Sequence, residues 1–175
     1  MKKILFHICC GPCATASVTK LQEEGYETLG FYFNPNIYPK SEYEKRLKEA
    51  KKFADEEDFQ FIIPNYDPKL YAEAVRGHED NQEERCRRCW RLRLNEAAKM
   101  AKELGFKEFG SSLRISPYQN QTELLALAKE IAVDYGLKFY DLELTPLYQD
   151  SVKMSKERKM YRQRYCGCRY SRTKV

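Results

Sequence analysis

The sequence predicts an α/β domain, with a parallel sheet of about five strands, helices on both faces, and a basic C-terminal tail. Three observations predict it. Short apolar runs of strand character alternate with longer stretches of helical periodicity, the pattern of a parallel sheet covered on both sides. Gly and Pro stand at the joins, as at Gly11-Pro12, Gly25, Pro64 and Gly105. The 175 residues, 42% of them hydrophobic and 33% charged, suffice for one buried core. They contain no apolar run near the ~18 residues of a membrane span.

The elements follow in order. Lys3 to Ile8 (KILFHI) reads as a buried strand ended by Gly11-Pro12. Pro12 suits a first helical turn, and helical periodicity runs from Ala14 to Glu24 before Gly25 stops it. The opening Met1-Lys2-Lys3 and Ala14-Thr15-Ala16 have some likeness to a secretory signal. The apolar run is short and broken by His7, Gly11 and Pro12, so strand, loop and helix is the better interpretation. Thr28 to Phe33 is a second strand, and Ser41 to Glu57 an amphipathic helix with Ser41 and Glu44 as a capping box. Phe59 to Ile63 is a third strand closed by Pro64. Helices are expected over Pro68 to Val75, Arg87 to Leu104 and Gln121 to Tyr135, with strands at Lys107 to Gly110 and Leu137 to Leu142. We expect one domain over 1–175, with 150–175 a basic, Cys-containing segment closing over the site.

Charge is unevenly spread. From Lys153 to Val175 there are nine Lys/Arg against one Glu, a local balance of +8, so the other 152 residues carry −3 of the total +5. A mildly acidic body with a basic tail suits a polyanionic partner. The expected location is the cytoplasm, where thiols stay reduced, so the seven cysteines are expected to be metal ligands or redox groups rather than staples.

Those cysteines fall into three motifs. Cys9-Cys10, with Cys13 three residues on, follows the first strand. In a parallel sheet that is the functional edge, beyond the strand carboxyl ends. A helix N-terminus there favours thiolate, especially at Cys13 in the first turn. Cys86-Arg87-Arg88-Cys89 is a C-x-x-C expected at a helix start, and with Cys9-Cys10 it supplies the four thiolates of a [4Fe–4S] cluster. Arg85, Arg87, Arg88, Arg91 and Arg93 would offset a cluster's negative charge or contact phosphate. Cys166-Gly167-Cys168 either closes a strained, labile ring or holds a metal beside the main site. A small-hydrophobe role remains open for Cys13, and a structural zinc site for four of the thiols.

His7, within the first strand, reads as a satisfied core histidine ahead of a proton donor, and His78 as an exposed loop residue. Tyr161-Arg162-Gln163-Arg164-Tyr165, before Cys166, interleaves aromatic and basic residues as a tRNA loop would require; a basic helix with inward tyrosines is the plainer alternative. Ser116-Pro117-Tyr118-Gln119-Asn120 is either a polar-group site at a helix start or simply a good turn. No phosphate-binding glycine loop occurs, and where one would follow the first strand stands Cys-Cys-Gly-Pro-Cys. Nucleotide-driven chemistry is therefore disfavoured, and the expected architecture is HUP/PP-loop-like without the nucleotide loop.

Taken together, these segments resemble the cobalamin-independent epoxyqueuosine reductases, the QueH family. The resemblance lies in His7 to Cys13, Asn34-Pro35-Asn36-Ile37 with Glu42-Tyr43, and Arg85 to Cys89 with Arg93-Leu94. It extends to Ser112-Leu113 with Ser116-Pro117 and to Tyr161 to Cys168. It implies reduction of epoxyqueuosine to queuosine at the wobble base of tRNA. By that resemblance Cys9, Cys10, Cys86 and Cys89 would bind a [4Fe–4S] cluster, and Cys166 and Cys168 would be the redox-active pair. Cys13 stands as an additional ligand candidate, and a second, mononuclear iron as an additional cofactor. The tRNA-binding candidates are Arg158, Lys159, Arg162, Arg164, Arg169 and Arg172. An electron donor is implied; cobalamin and a membrane are not. The rival functions are a zinc-stabilised RNA-binding module and a cytosolic thiol-disulfide oxidoreductase.

Overall fold

The strand β1 (Lys2–His7) buries Ile4, Leu5, Phe6 and His7 completely and forms the centre of the sheet in the computed structural model, which describes residues 1–172. The last residues of the basic tail, Thr173-Lys174-Val175, lie outside the described residues. β1 pairs in parallel with β2 (Tyr26–Phe31) on one side and β4 (Glu108–Ser111) on the other. β3 (Gln60–Ile62) and β5 (Lys138–Phe139) complete the parallel order β3-β2-β1-β4-β5. Strand order reverses between β1 and β4, so a crevice opens at their carboxyl ends, where α/β sheets bind their ligands.

Alternation along β1 divides the core. Ile4, Phe6 and Ile8 face α1 (Gly11–Glu23), α2 (Lys40–Glu56) and α6 (Tyr148–Glu157). Leu5 faces α4 (Gln82–Glu103) and α5 (Gln121–Tyr135), through Trp90, Leu94, Leu127 and Ile131. Each such fully buried side chain stabilises the fold by about 1.5–3 kcal/mol. The short α3 (Pro68–Val75) packs Tyr71 and Val75 against Cys89 of α4 and Cys168.

The α/β class, parallel sheet and two-sided helices are as expected, but four elements differ. α2 has Pro39, not Ser41, at its N-cap and no side-chain cap. The Pro39 carbonyl accepts from both Glu42 N–H and Tyr43 N–H, so the helix starts earlier, and Ser41 lies inside its first turn. α4 begins at Gln82, where Asn81 Oδ1 caps Glu84 N–H (3.1 Å) and Glu83 and Glu84 suit the helix dipole. Cys86 and Cys89 therefore sit in its second turn and beyond, not at its start. β5 is only two residues long. The tail contains a helix, α6, that sequence periodicity did not suggest, because two of its inward residues are Ser151 and Ser155.

Candidate metal centre

Cys9, Cys10 and Cys13 leave β1 at the switch point, with their three sulfurs all within 4.8 Å of one another. Cys10 is the N-cap of α1, so its Sγ turns back and accepts the Cys13 N–H at 3.4 Å. Ser112, at the end of β4, accepts the Cys9 N–H (2.9 Å) and donates its hydroxyl to Cys9 Sγ (3.1 Å). Gln163 Nε2 from the tail donates to Cys10 Sγ at 2.9 Å. Hydrogen bonds from the Cys10, Cys13 and Ser112 side chains hold the Cys9 thiol well below its ordinary range. Burial pushes Cys10 up to about 12, and its bonds to Cys10 and Cys9 raise Cys13. Thiolate character thus falls on Cys9 rather than on Cys13, because Cys9 receives the hydrogen bonds within the triad.

The other four cysteines line one cavity of about 200 Å³ with Trp90 and Arg93. Cys166 and Cys168 are free thiols whose sulfurs lie 3.8 Å apart, and Ser171 Oγ lies 2.9 Å from one and 3.3 Å from the other. The Cys166 hydrogen bond, with Ser171 and Tyr71, lowers Cys168 to about 4, while Cys166 is raised as the partner that keeps the proton. Gly167 between them has φ +118°, a conformation open to glycine, and nestles against Arg46 and Ile37. Arg46 donates to the carbonyls of Tyr165 (3.0 Å) and Cys166 (3.2 Å), and Tyr38 N–H to that of Gly167 (2.8 Å). Glu42 holds Arg46 Nε at 2.7 Å, so a buried ion pair on α2 pins the loop that carries the pair.

The two sulfur groups meet at Arg93. This buried guanidinium interacts electrostatically with Cys89, Cys9 and Cys166, and its Nη1 reaches Asn34 Oδ1 at 3.4 Å. The geometry thus places Cys9 and Cys10 with Cys13, and Cys86 and Cys89 with Cys166 and Cys168, and Arg93 interacts with members of both groups. A family model described as epoxyqueuosine reductase QueH matches residues 4–174.

The chain belongs to the QueH family.

It is 36% identical over 170 residues to the epoxyqueuosine reductase QueH of Dehalococcoides mccartyi, covering 97% of this chain and 92% of that one. It is 33% identical to the QueH of Thermotoga maritima, covering 98% of this chain and 91% of the relative. A solved structure described as a predicted subunit of tRNA methyltransferase from Methanocaldococcus jannaschii is 12% identical. That match has a TM-score of 0.58 and covers 90% of this chain and 77% of that one, a likeness of fold.

The remaining candidates of this QueH chain are distributed as follows. His7 is fully buried: Nε2 lies 3.0 Å from the Phe33 carbonyl and 3.2 Å from Asn34 Oδ1, and Nδ1 lies 2.9 Å from Ser111 Oγ. A carbonyl only accepts, so Nε2 carries the hydrogen. Burial and the Arg93 charge lower the ring to about 4, which makes it a neutral structural histidine. His78 is half-buried rather than exposed. Arg158 is engaged by Glu56 (2.6 Å) and Glu57, and Arg169 lies over the Tyr38 ring at 4.8 Å. Lys159, Arg162, Arg164 and Arg172 are exposed. The tail tyrosines are half-buried: Tyr161 donates to Glu42 and Tyr165 to the Tyr38 carbonyl, in a segment that is not helical.

Ser112, Gln163, Asn34 and the Glu42–Arg46 pair were not singled out as functional by residue chemistry. The i,i+4 spacing of Glu42 and Arg46 is a signal that could have found that pair. Ser112 and Gln163 reach the thiols only through tertiary contacts, and their one signal in the sequence is their place in the motifs of the QueH resemblance.

Proposed function

We propose that the chain reduces epoxyqueuosine to queuosine at the anticodon wobble position of tRNA, in the cytoplasm. In this proposal a thiolate-bound [4Fe–4S] cluster acts with Cys166 and Cys168 as a redox-active pair. The observation that carries it is the grouping of three thiols, Cys9, Cys10 and Cys13, at the switch-point edge of the sheet and of the other four in one cavity, with Arg93 interacting with Cys9 of the first group and Cys89 and Cys166 of the second. The donor set suits such a group: it is all sulfur, largely buried, flanked by cations, and has one thiol already biased to thiolate, which selects iron–sulfur chemistry over oxygen-seeking cations. We assign Cys9, Cys10, Cys86 and Cys89 as cluster ligands. Cys13 is the additional donor for a second, mononuclear iron. When bound, such a cluster supplies single electrons and a Lewis-acidic iron.

The chain's own residues account for the balance of the reaction. Both C–O bonds of the epoxide break, a C=C bond forms, and the oxygen leaves as water, consuming two electrons and two protons. Closure of the Cys166 thiol and Cys168 thiolate to a disulfide releases both electrons and the one proton that Cys166 holds, and water supplies the second proton. The 3.8 Å sulfur separation suits that closure, and Ser171 Oγ, between the sulfurs, can hand a proton from one to the other. An external donor then reduces the disulfide. Arg162, Arg164 and Arg172, exposed on the same tail, supply contacts to RNA phosphate.

Protein purified without oxygen should be brown and hold about four irons or more per chain. Cys166→Ser and Cys168→Ser should each abolish turnover of epoxyqueuosine tRNA while keeping the iron–sulfur absorbance. A colourless protein with one stoichiometric zinc would overturn the proposal.

A further inference from the structure

α4 carries five arginines in its first twelve residues, and their surroundings differ. Arg88 pairs with Glu84 at 2.9 Å, Arg91 pairs with Glu130 at 3.1 Å, and Arg87 is exposed. Arg85 and Arg93 are 6% and 5% exposed and line the thiol cavity. Neither has a carboxylate ion-pair partner among the described residues. Arg85 donates to the Glu79 carbonyl and lies 5.0 Å over the Tyr170 ring, and Arg93 makes its long contact with Asn34. Each leaves its buried Nε without a partner. Arg46 shows the contrast: at 3% exposure it holds Glu42 at 2.7 Å. Arg114, buried and likewise without a partner at Nε, donates Nη1 to the Gln121 carbonyl and Oε1 and feels the carboxylates of Glu143 and Asp141.

A desolvated guanidinium is costly unless an anion accompanies it. Two such cations facing one cavity, with no carboxylate ion-paired to either among the described residues, mark a place built for negative charge. The groups at hand are sulfur: Arg85 and Arg93 line the same cavity as Cys86, Cys89, Cys166 and Cys168. The spacing Arg85, Cys89, Arg93 repeats every four residues, so the thiol stands between the two guanidiniums on one helix face.

We propose that Arg85 and Arg93 are the counter-ions of the thiolate-bound metal group, positioning residues that set how firmly it is held and how readily it is reduced. The inference rests on the iron–sulfur proposal above. Four thiolates on a [4Fe–4S] core leave a net charge of about −2, which two guanidiniums match. The exposed arginines of α4 cannot substitute, because water and salt screen them. An RNA phosphate is the competing anion for the same two cations.

Arg93→Met, Arg93→Lys and Arg85→Met, each compared with wild type, separate these cases. Metal-free Arg93→Met should melt at or above wild type, because an unaccompanied cation has been replaced by an apolar side chain. Loaded with iron, it should lose the metal to a chelator at least tenfold faster. Its reduction should be at least tenfold less favourable, ~59 mV for one electron, because a positive charge has been taken from beside the group. Arg85→Met should shift both readouts in the same direction, and Arg93→Lys, which keeps the charge, should restore the potential toward wild type. If Arg93→Met does not fold, Arg85→Met and Arg93→Lys carry the comparison. Iron retention and potential equal to wild type overturn the inference, whether the arginines then prove structural, by a lowered metal-free melt, or phosphate-binding, by a raised KM for tRNA. A wild-type protein that takes up no iron overturns the iron–sulfur proposal first, and this inference with it.

Discussion

Replacing Glu42 with Ala should destabilise the domain and release the C-terminal thiol loop together. Glu42 is 7% exposed and accepts hydrogen bonds from Arg46 Nε and from the Tyr161 hydroxyl, both at 2.7 Å. Arg46 in turn holds the carbonyls of Tyr165 and Cys166 and lies 5.0 Å from the Tyr165 ring. Removing the carboxylate strands a buried guanidinium, a loss of about 3–5 kcal/mol. Each kcal/mol lowers the melting temperature of a domain this size by about 2–4 °C, so a fall of about 6–20 °C is expected. Glu56→Ala is the control: it removes a surface partner of Arg158, which keeps Glu57, and should cost below about 1 kcal/mol. The assay is thermal melting of the reduced, metal-free protein, with mass-spectrometric alkylation of Cys168 measured well below the transition. Glu42→Ala should melt early and expose Cys168, while Glu42→Gln, which keeps an acceptor, should fall between. A Glu42→Ala protein melting within about 2 °C of wild type, with Cys168 still protected, would refute the reasoning.

Two further outcomes are expected. His7→Leu leaves the Phe33 carbonyl, Asn34 and Ser111 short of partners in a dry site, so urea denaturation should show a loss of about 2–4 kcal/mol; wild-type stability would show the histidine is not the hub drawn here. Burial and the bond to Glu108 raise the Tyr26 phenol to about 12, so its stabilisation is complete below the ordinary ~10 and is lost as pH rises through the folded value. Tyr26→Phe should therefore lose less stability than wild type between those pH values, and parallel losses would count against the assignment.

Much of the fold was legible because local chemistry decided it. α3 and α5 run over the expected residues, since Asp67 and Asn120 cap their first turns and Gly136, in the left-handed conformation, ends α5. The start of α2 is not legible in the sequence, because Ser41 and Glu44 satisfy a capping pattern that the hydrogen bonds to the Pro39 carbonyl pre-empt. α6 was hidden by composition: Ser151 and Ser155 make an inward face that looks polar, and their hydroxyls are satisfied by the Tyr148 and Val152 carbonyls.

The site was legible as chemistry but not as arrangement. Three cysteine motifs at a strand end, on a helix and in a basic tail announce a thiol centre, and the parallel sheet says at which edge the first of them lies. Which sulfur meets which depends on details invisible to motif spacing. Cys10 caps α1 and so turns toward Cys13, while α4 starts five residues before Arg87 and carries Cys89 inward toward Cys168. The loop that carries Cys166 and Cys168 is held through backbone acceptors, the carbonyls of Tyr165, Cys166 and Gly167. Every residue type offers that acceptor, so it leaves no trace in composition. Its donors do leave one: Arg46 is a buried cation paired at i,i+4 with Glu42, and a cation buried with a partner of its own is free to organise a loop rather than a ligand. Arg85 and Arg93 are buried without such a partner, and that difference separates the arginine that shapes the site from the two that wait for charge within it.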